Sequence, residues 1–185
     1  MRALPIAVTA LAAALALTSC DGGGSSSSGK SGKSGDSAGS AKKAAVAACL
    51  IGDAGIQVGP ANAATAAGDT GNIPVTLTNK GAQCTLKGFP GLSVQAGDTS
   101  ADIAADKSAA PEQLTLAEGD TASFTITYVR GAAGDAKTLA VKTLKISLPG
   151  VGTTQSFPWS YGPVAGKGSA SEPNASVTPF QHAGD

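Results

Sequence analysis

From residue 44 onward the chain alternates apolar and polar positions with the two-residue period of strands, in short runs set apart by Gly, Asp, Pro and Asn. Ile56-Gln57-Val58 is the first such run. In the second, Ile73, Val75 and Leu77 face one way and Thr76 and Thr78 the other, and Pro74 places the start of this strand at a sheet edge. Cys84-Thr85-Leu86 and Leu92-Ser93-Val94 follow, parted by Gly88-Phe89-Pro90-Gly91, a sequence that enforces a sharp bend. Gln113-Leu114-Thr115-Leu116 and the run over residues 122–129 flank Ala117-Glu118-Gly119-Asp120, which predicts a hairpin. In the second of these strands Phe124, Ile126 and Tyr128 share a face opposite Ser123, Thr125 and Thr127.

The run over residues 141–148 opens with Val141 and carries Leu144, Ile146 and Leu148 inward with Thr143, Lys145 and Ser147 outward. Residues 154–159 and 175–180 are shorter strand candidates, and residues 44–50 the one stretch that reads as a helix. About seven to nine short strands result, and two packed antiparallel sheets are the economical way to bury their apolar faces. The expectation is an all-β, immunoglobulin-like sandwich over residues 44–185, with its tail frayed from about residue 166.

What precedes the domain has a different pattern. Arg2 is followed by an apolar run over residues 4–17, broken only by Pro5 and Thr9, and then by Thr18 and Ser19. The run is shorter than the roughly 20 residues a spanning helix needs, so residues 1–19 read as an export signal. Leu17-Thr18-Ser19-Cys20 resembles the lipobox of bacterial lipoproteins. That resemblance implies a diacylglyceryl group on the Cys20 thiol, cleavage before Cys20, and a mature protein on the extracytoplasmic face of the cell membrane. Two acyl chains anchor stably, each buried methylene contributing ~0.8 kcal/mol. Residues 21–43, rich in Gly, Ser and Lys, bury too little to order themselves and read as a flexible tether. Gly29-Lys30-Ser31 and Gly32-Lys33-Ser34 lack the upstream glycine and strand of a phosphate-binding loop.

Composition narrows the partners. Formal net charge is zero and charged residues make up 14% of the chain, so no basic field exists to hold nucleic acid. Aromatic residues are 4%, which leaves a thin core that a covalent staple would help. With Cys20 lipidated, Cys49 and Cys84 remain as a pair in an oxidising compartment, and neither belongs to a Cys-x-x-Cys motif. A disulfide enclosing a loop of about 35 residues stabilises by roughly 3–4 kcal/mol in the chain-entropy account.

The stretch from Val75-Thr76-Leu77-Thr78-Asn79-Lys80-Gly81 through Cys84-Thr85-Leu86-Lys87-Gly88-Phe89-Pro90-Gly91 resembles the actinobacterial domain of unknown function DUF4232. Its hallmark is a strand ending in Asn-x-Gly, then Cys-x-Leu-x-Gly-(Tyr or Phe)-Pro-Gly. Cys49 and the Leu116-Ala117-Glu118-Gly119-Asp120 segment fit the same pattern. The resemblance implies an immunoglobulin-like sandwich in secreted or lipid-anchored proteins, and it implies no activity. Many members carry further cysteines in the second half of the domain, where this chain has none after Cys84.

Candidate chemistry is sparse. The single histidine, His182, lies near the end of the chain, which argues against a Ser-His-Asp or Cys-His site. The mature chain lacks the several His, Cys or Met ligands a transition metal wants, so no metal or other cofactor and no catalytic residue is assigned. Asp98, Asp102 and Asp106, four residues apart, could share a helical face and serve calcium or a paired-carboxylate hydrolase, though solvated loop carboxylates are the simpler account. Phe157, Trp159 and Tyr161 are the candidate binding surface, since aromatic side chains are enriched at hot spots. Equally, a sandwich this poor in rings would bury its one Trp. The favoured function is a non-enzymatic binding module tethered to the membrane through lipid on Cys20, with a protein or glycan partner. A structural spacer or assembly subunit of the envelope is the alternative, and a carboxylate-based cell-wall hydrolase comes third.

Overall fold

The computed structural model describes residues 45–183. The export signal, Cys20 and the tether lie outside the described residues. A single 3-10 turn, Ile51–Asp53, leads into fourteen strands. These are β1 (Ala54–Val58), β2 (Thr70–Asn79), β3 (Cys84–Lys87), β4 (Gly91–Ala96), β5 (Thr99–Asp102), β6 (Ala104–Ala105) and β7 (Gln113–Leu116). They continue as β8 (Thr121–Val129), β9 (Thr138–Leu139), β10 (Thr143–Ser147), β11 (Thr154–Pro158), β12 (Val164–Ala165), β13 (Ala175–Val177) and β14 (Gln181–His182).

The strands form an all-β sandwich. One sheet runs β1-β2-β8-β13-β6 with β14 also on β8, a second runs β11-β10-β4-β5, and two short ladders join β3 to β7 and β9 to β12. The orders β1-β2-β8 and β5-β4-β10-β11 match strands A-B-E and C′-C-F-G of an immunoglobulin domain. The chain's last strands, β13 and β14, occupy the place beside β8. Ile73, Val75, Leu77, Phe124, Ile126 and Tyr128 of the first sheet and Val94, Leu144 and Ile146 of the second belong to one buried cluster, each 0–1% exposed. The alternation that defines these strands therefore also defines the core.

The staple sits at the entrance to the domain. Cys49 and Cys84 form a disulfide with Cα atoms 4.9 Å apart. Beside it Cys49 N–H donates to Thr85 O and Thr85 N–H to Ala47 O, so the segment before the 3-10 turn lies as a parallel bridge along β3. The helix expected over residues 44–50 is absent among the described residues, because a segment pinned at Cys49 satisfies its backbone groups against β3 instead.

Two further expectations are corrected, and that for Pro74 is sharpened. β7 and β8 do not form a hairpin. β7 pairs with β3, Cys84 opposite Leu116, while β8 pairs with β2 over nine positions. The Ala117-Glu118-Gly119-Asp120 turn exists, with Gly119 at φ 88°, but it carries the chain from one ladder to another. A long strand that can bury Phe124, Ile126 and Tyr128 against β2 outcompetes pairing with the four residues of β7.

β2 as a whole sits between β1 and β8, but the β1 ladder reaches only to Val75, so the beginning of β2 at Pro74 is laddered to β8 alone, apart from an isolated Asn62–Asn72 bridge. The Pro74 carbonyl accepts from Gly59 N–H on the β1 side, just beyond the last β1–β2 pair, Val58 and Val75. A strand residue's N and O face the same way, so the missing donor points where the β1 ladder has ended and no hydrogen bond to β8 is lost.

The tail is not frayed from about residue 166. Ala175 and Val177 pair with Tyr128 and Ile126, and Phe180 is 1% exposed with its ring edge-on to Phe124 at 5.4 Å. Three apolar side chains complete the space beside β8, which outweighs the Gly- and Pro-rich local composition.

Candidate functional site

The end of the sandwich at which β8 and β11 finish is built around three stacked rings. β11 ends at Pro158, and Trp159 extends its ladder by donating its N–H to Lys142 O at 2.8 Å. The alternation then turns the indole inward: Trp159 is 6% exposed, edge-on to Tyr128 at 5.2 Å and to Tyr161 at 5.1 Å. Its Nε1–H donates to Gly162 O at 2.6 Å. The Tyr128 hydroxyl donates to Tyr161 O at 2.8 Å and accepts from Ala64 N–H at 3.2 Å. The polar side-chain atoms of the two buried rings, Trp159 and Tyr128, are thereby satisfied, as burial requires.

Arg130 closes the stack from the outside. Its Nη1 donates to Ala64 O at 2.8 Å, and a Cβ on Gly162, which sits at φ 87°, would come within 2.8 Å of its guanidinium carbon. The positive φ is what calls for glycine there, since the flexible Arg130 side chain can move aside from a Cβ. Burial, and secondarily the neighbouring Tyr128, holds the Tyr161 phenol above the ordinary tyrosine range.

The three aromatic residues named as a candidate surface differ in burial. Trp159 belongs to the core, and Phe157, on β11 opposite Leu144 of β10, and Tyr161 are partly buried and packed against it. The residue period explains this: Phe157 and Trp159 share the inward parity of an edge strand whose outward positions are Thr154, Ser156 and Pro158.

Beside Trp159 the chain nevertheless leaves a cleft of about 530 Å³. Its walls are the turn after β8, with Ala133, Gly134 and Asp135, the β9–β10 segment with Thr138, Ala140, Val141 and Lys142, and the run that follows Trp159, with Ser160, Gly162 and Pro163. Val141 is buried, whereas Asp135, Lys142 and Ser160 are exposed at the rim. Asp135 organises its own turn: its Oδ1 accepts from Lys137 N–H at 2.7 Å. A smaller hollow of about 260 Å³ adjoins, sharing Asp135 and Thr138 and adding Arg130 and Lys137. Thr138, Lys142 and Ser160 escaped the sequence reading because each is a single polar residue beside a strand end. The long Gly- and Ala-rich connection between two strands was the signal that could have marked them.

The carboxylates take structural positions. Asp98 lies in the β4–β5 turn, Asp102 ends β5 and Asp106 follows β6, so strands and turns, not a helix, carry the trio. Asp106 Oδ1 accepts from Ser108 N–H, and Asp69 Oδ2 from Thr65 Oγ1 and Ala66 N–H. Contacts with the Ser108 side chain and backbone hold Asp106 below the usual carboxylate range, and the Ala66 and Thr65 contacts do the same for Asp69. Asp120 likewise accepts from Ala117 N–H. His182 is exposed on β14. Among the described residues no three His, Cys, Asp or Glu side chains gather as a metal-holding group.

Fold and site together define a small all-β domain, stapled by one disulfide and carrying a cleft in the loops at one end. Residues 49–181 match the family described as domain of unknown function (DUF4232), and the chain belongs to that family. No curated protein and no solved structure matches it.

Proposed function

We propose that the protein is a lipid-anchored, extracytoplasmic binding module. Its mature chain begins at Cys20, is held to the outer face of a membrane by a diacylglyceryl group on that thiol, and presents the sandwich at the end of the tether over residues 21–43. The lipobox-like Leu17-Thr18-Ser19-Cys20 supports the anchor. The Cys49–Cys84 bridge supports the address, because disulfides persist in oxidising compartments.

Binding rests on one observation, the cleft beside Trp159. Its volume of about 530 Å³ lies within the ~300–1,000 Å³ of small-ligand sites. It is also built from connecting segments on a rigid scaffold, where binding residues concentrate. A photoreactive group placed at Ser160, on intact cells, tests the reading. Capture of one species out of proportion to its abundance, and not captured from Glu118 in the β7–β8 turn, is expected. Recovery of neighbours in proportion to abundance from both positions would instead point to an envelope spacer.

A further inference from the structure

Resting on that binding reading, we infer that the cleft takes a small amphipathic anion, a flat apolar body carrying one carboxylate, sulfonate or phosphate group. The apolar half of the match comes from Val141, Ala140, Pro163 and the indole of Trp159. Because Trp159 Nε1–H is engaged by Gly162 O, the ring offers the cleft carbon surface and no donor. Thr138 and Ser160 contribute hydroxyls that can donate to an anionic oxygen.

The charged half comes from the rim. Lys142 lines the cleft, and Arg130 and Lys137 line the adjoining hollow, with the carboxylate Asp135 shared by both and Asp69 near enough to Arg130 to feel its charge. Three cations face two carboxylates, Asp135 and Asp69, at this end of a chain whose formal net charge is zero. Asp135 Oδ1 accepts the Lys137 N–H, which ties this carboxylate to its own turn. Lys142 is exposed at the mouth, so its ammonium can reach a headgroup while its stem lies along the apolar wall. An anionic group meeting Lys142 forms a charge-assisted hydrogen bond, stronger than its neutral counterpart.

The test uses two probes that differ by the anion alone, 8-anilinonaphthalene-1-sulfonate and its uncharged relative N-phenyl-1-naphthylamine. Trp159, the one tryptophan of the chain, reports arrival by energy transfer to the bound dye. The folded protein, with its near-ultraviolet circular dichroism unchanged, is expected to bind the sulfonate more tightly than the neutral dye and to lose Trp159 emission in step. Lys142→Gln should weaken the sulfonate about tenfold and leave the neutral dye unaffected. Lys80→Gln, at the far end of β2, should change neither.

Equal affinity for the two dyes, or an equal effect of Lys80→Gln and Lys142→Gln, would overturn the anion assignment. Absence of binding by both would overturn the cleft as a ligand site. The binding reading would survive that result if crosslinking from Ser160 still captured a specific partner, so the two failures are distinguishable.

Discussion

Replacing Asn79 with Asp removes two hydrogens from the centre of the fold and leaves its volume almost unchanged. Asn79 ends β2, is 3% exposed, and is the one buried polar or charged residue among those described. Its Nδ2 lies 3.0 Å from Ala82 O, 3.1 Å from Leu116 O and 3.1 Å from Ala117 O, and its Oδ1 accepts from Gly81 N–H at 3.1 Å. Its backbone is tied as well, donating to Asp120 O and accepting from Gly119 N–H. One side chain therefore fastens the β2–β3 turn to the crossing between β7 and β8.

An amide has two hydrogens to share among three carbonyls. Losing two net hydrogen bonds costs about 2 kcal/mol, and facing a carboxylate toward carbonyl oxygens in a buried site adds about 1–3 kcal/mol. For Asn79→Asp the expected loss is about 3–5 kcal/mol, or a fall in Tm on the order of 10 °C for a domain of this size. Urea unfolding followed by Trp159 emission measures it. The loss should be smaller near about pH 3 than near about pH 7, because a protonated Asp recovers one O–H donor. A loss below about 1 kcal/mol at neutral pH would refute the clamp, since it would equal a single solvent-replaceable hydrogen bond.

Reduction of the Cys49–Cys84 bridge, or Cys49→Ser, should lower stability by roughly 3–4 kcal/mol, and an unchanged melting curve with reductant would contradict that. The folded state retains the Tyr161 phenolic proton at a pH where the unfolded chain gives it up. Stability should thus fall as pH rises above the ordinary tyrosine value of about 10. Tyr161→Phe should flatten this alkaline slope, measured by denaturant unfolding across that range, and an identical slope in the variant would count against the burial argument. Cys20→Ala should leave the protein uncleaved or release it into the medium, and fractionation that finds mature, membrane-held variant would sink the lipid anchor.

Much of the fold was legible where strands are long. The Ile73-Val75-Leu77 and Phe124-Ile126-Tyr128 alternations each mark an inward face over enough positions to fix both element and burial. Partner choice was not legible. The turn at Gly119 has the local chemistry of a hairpin, yet which strand β8 pairs with depends on the apolar face of β2, some fifty positions away along the chain. Pro74 was the sounder signal, because its missing donor marks the side on which the β1 ladder stops at Val75.

The tail and the cleft were hidden by size. Residues 175–180 read as a strand candidate but were too short to show that they pack, although Phe180 closes the core against Phe124. The Trp159 region drew notice through its rings, which the fold buries, while the accessible chemistry belongs to Lys142, Thr138 and Ser160 contributed by separate segments. Asp98, Asp102 and Asp106 show the converse: regular spacing along the sequence carries no meaning when the intervening backbone is strand and turn rather than helix.

The central claim, a disulfide-stapled sandwich anchored outside the cell through Cys20, is tested most directly by the intact mass of protein extracted from membranes, alkylated with and without reductant. A chain beginning at Cys20 with a diacylglyceryl addition, and two thiols that label only after reduction, is the predicted result. An unlipidated chain, or Cys49 and Cys84 labelled without reductant, would contradict it.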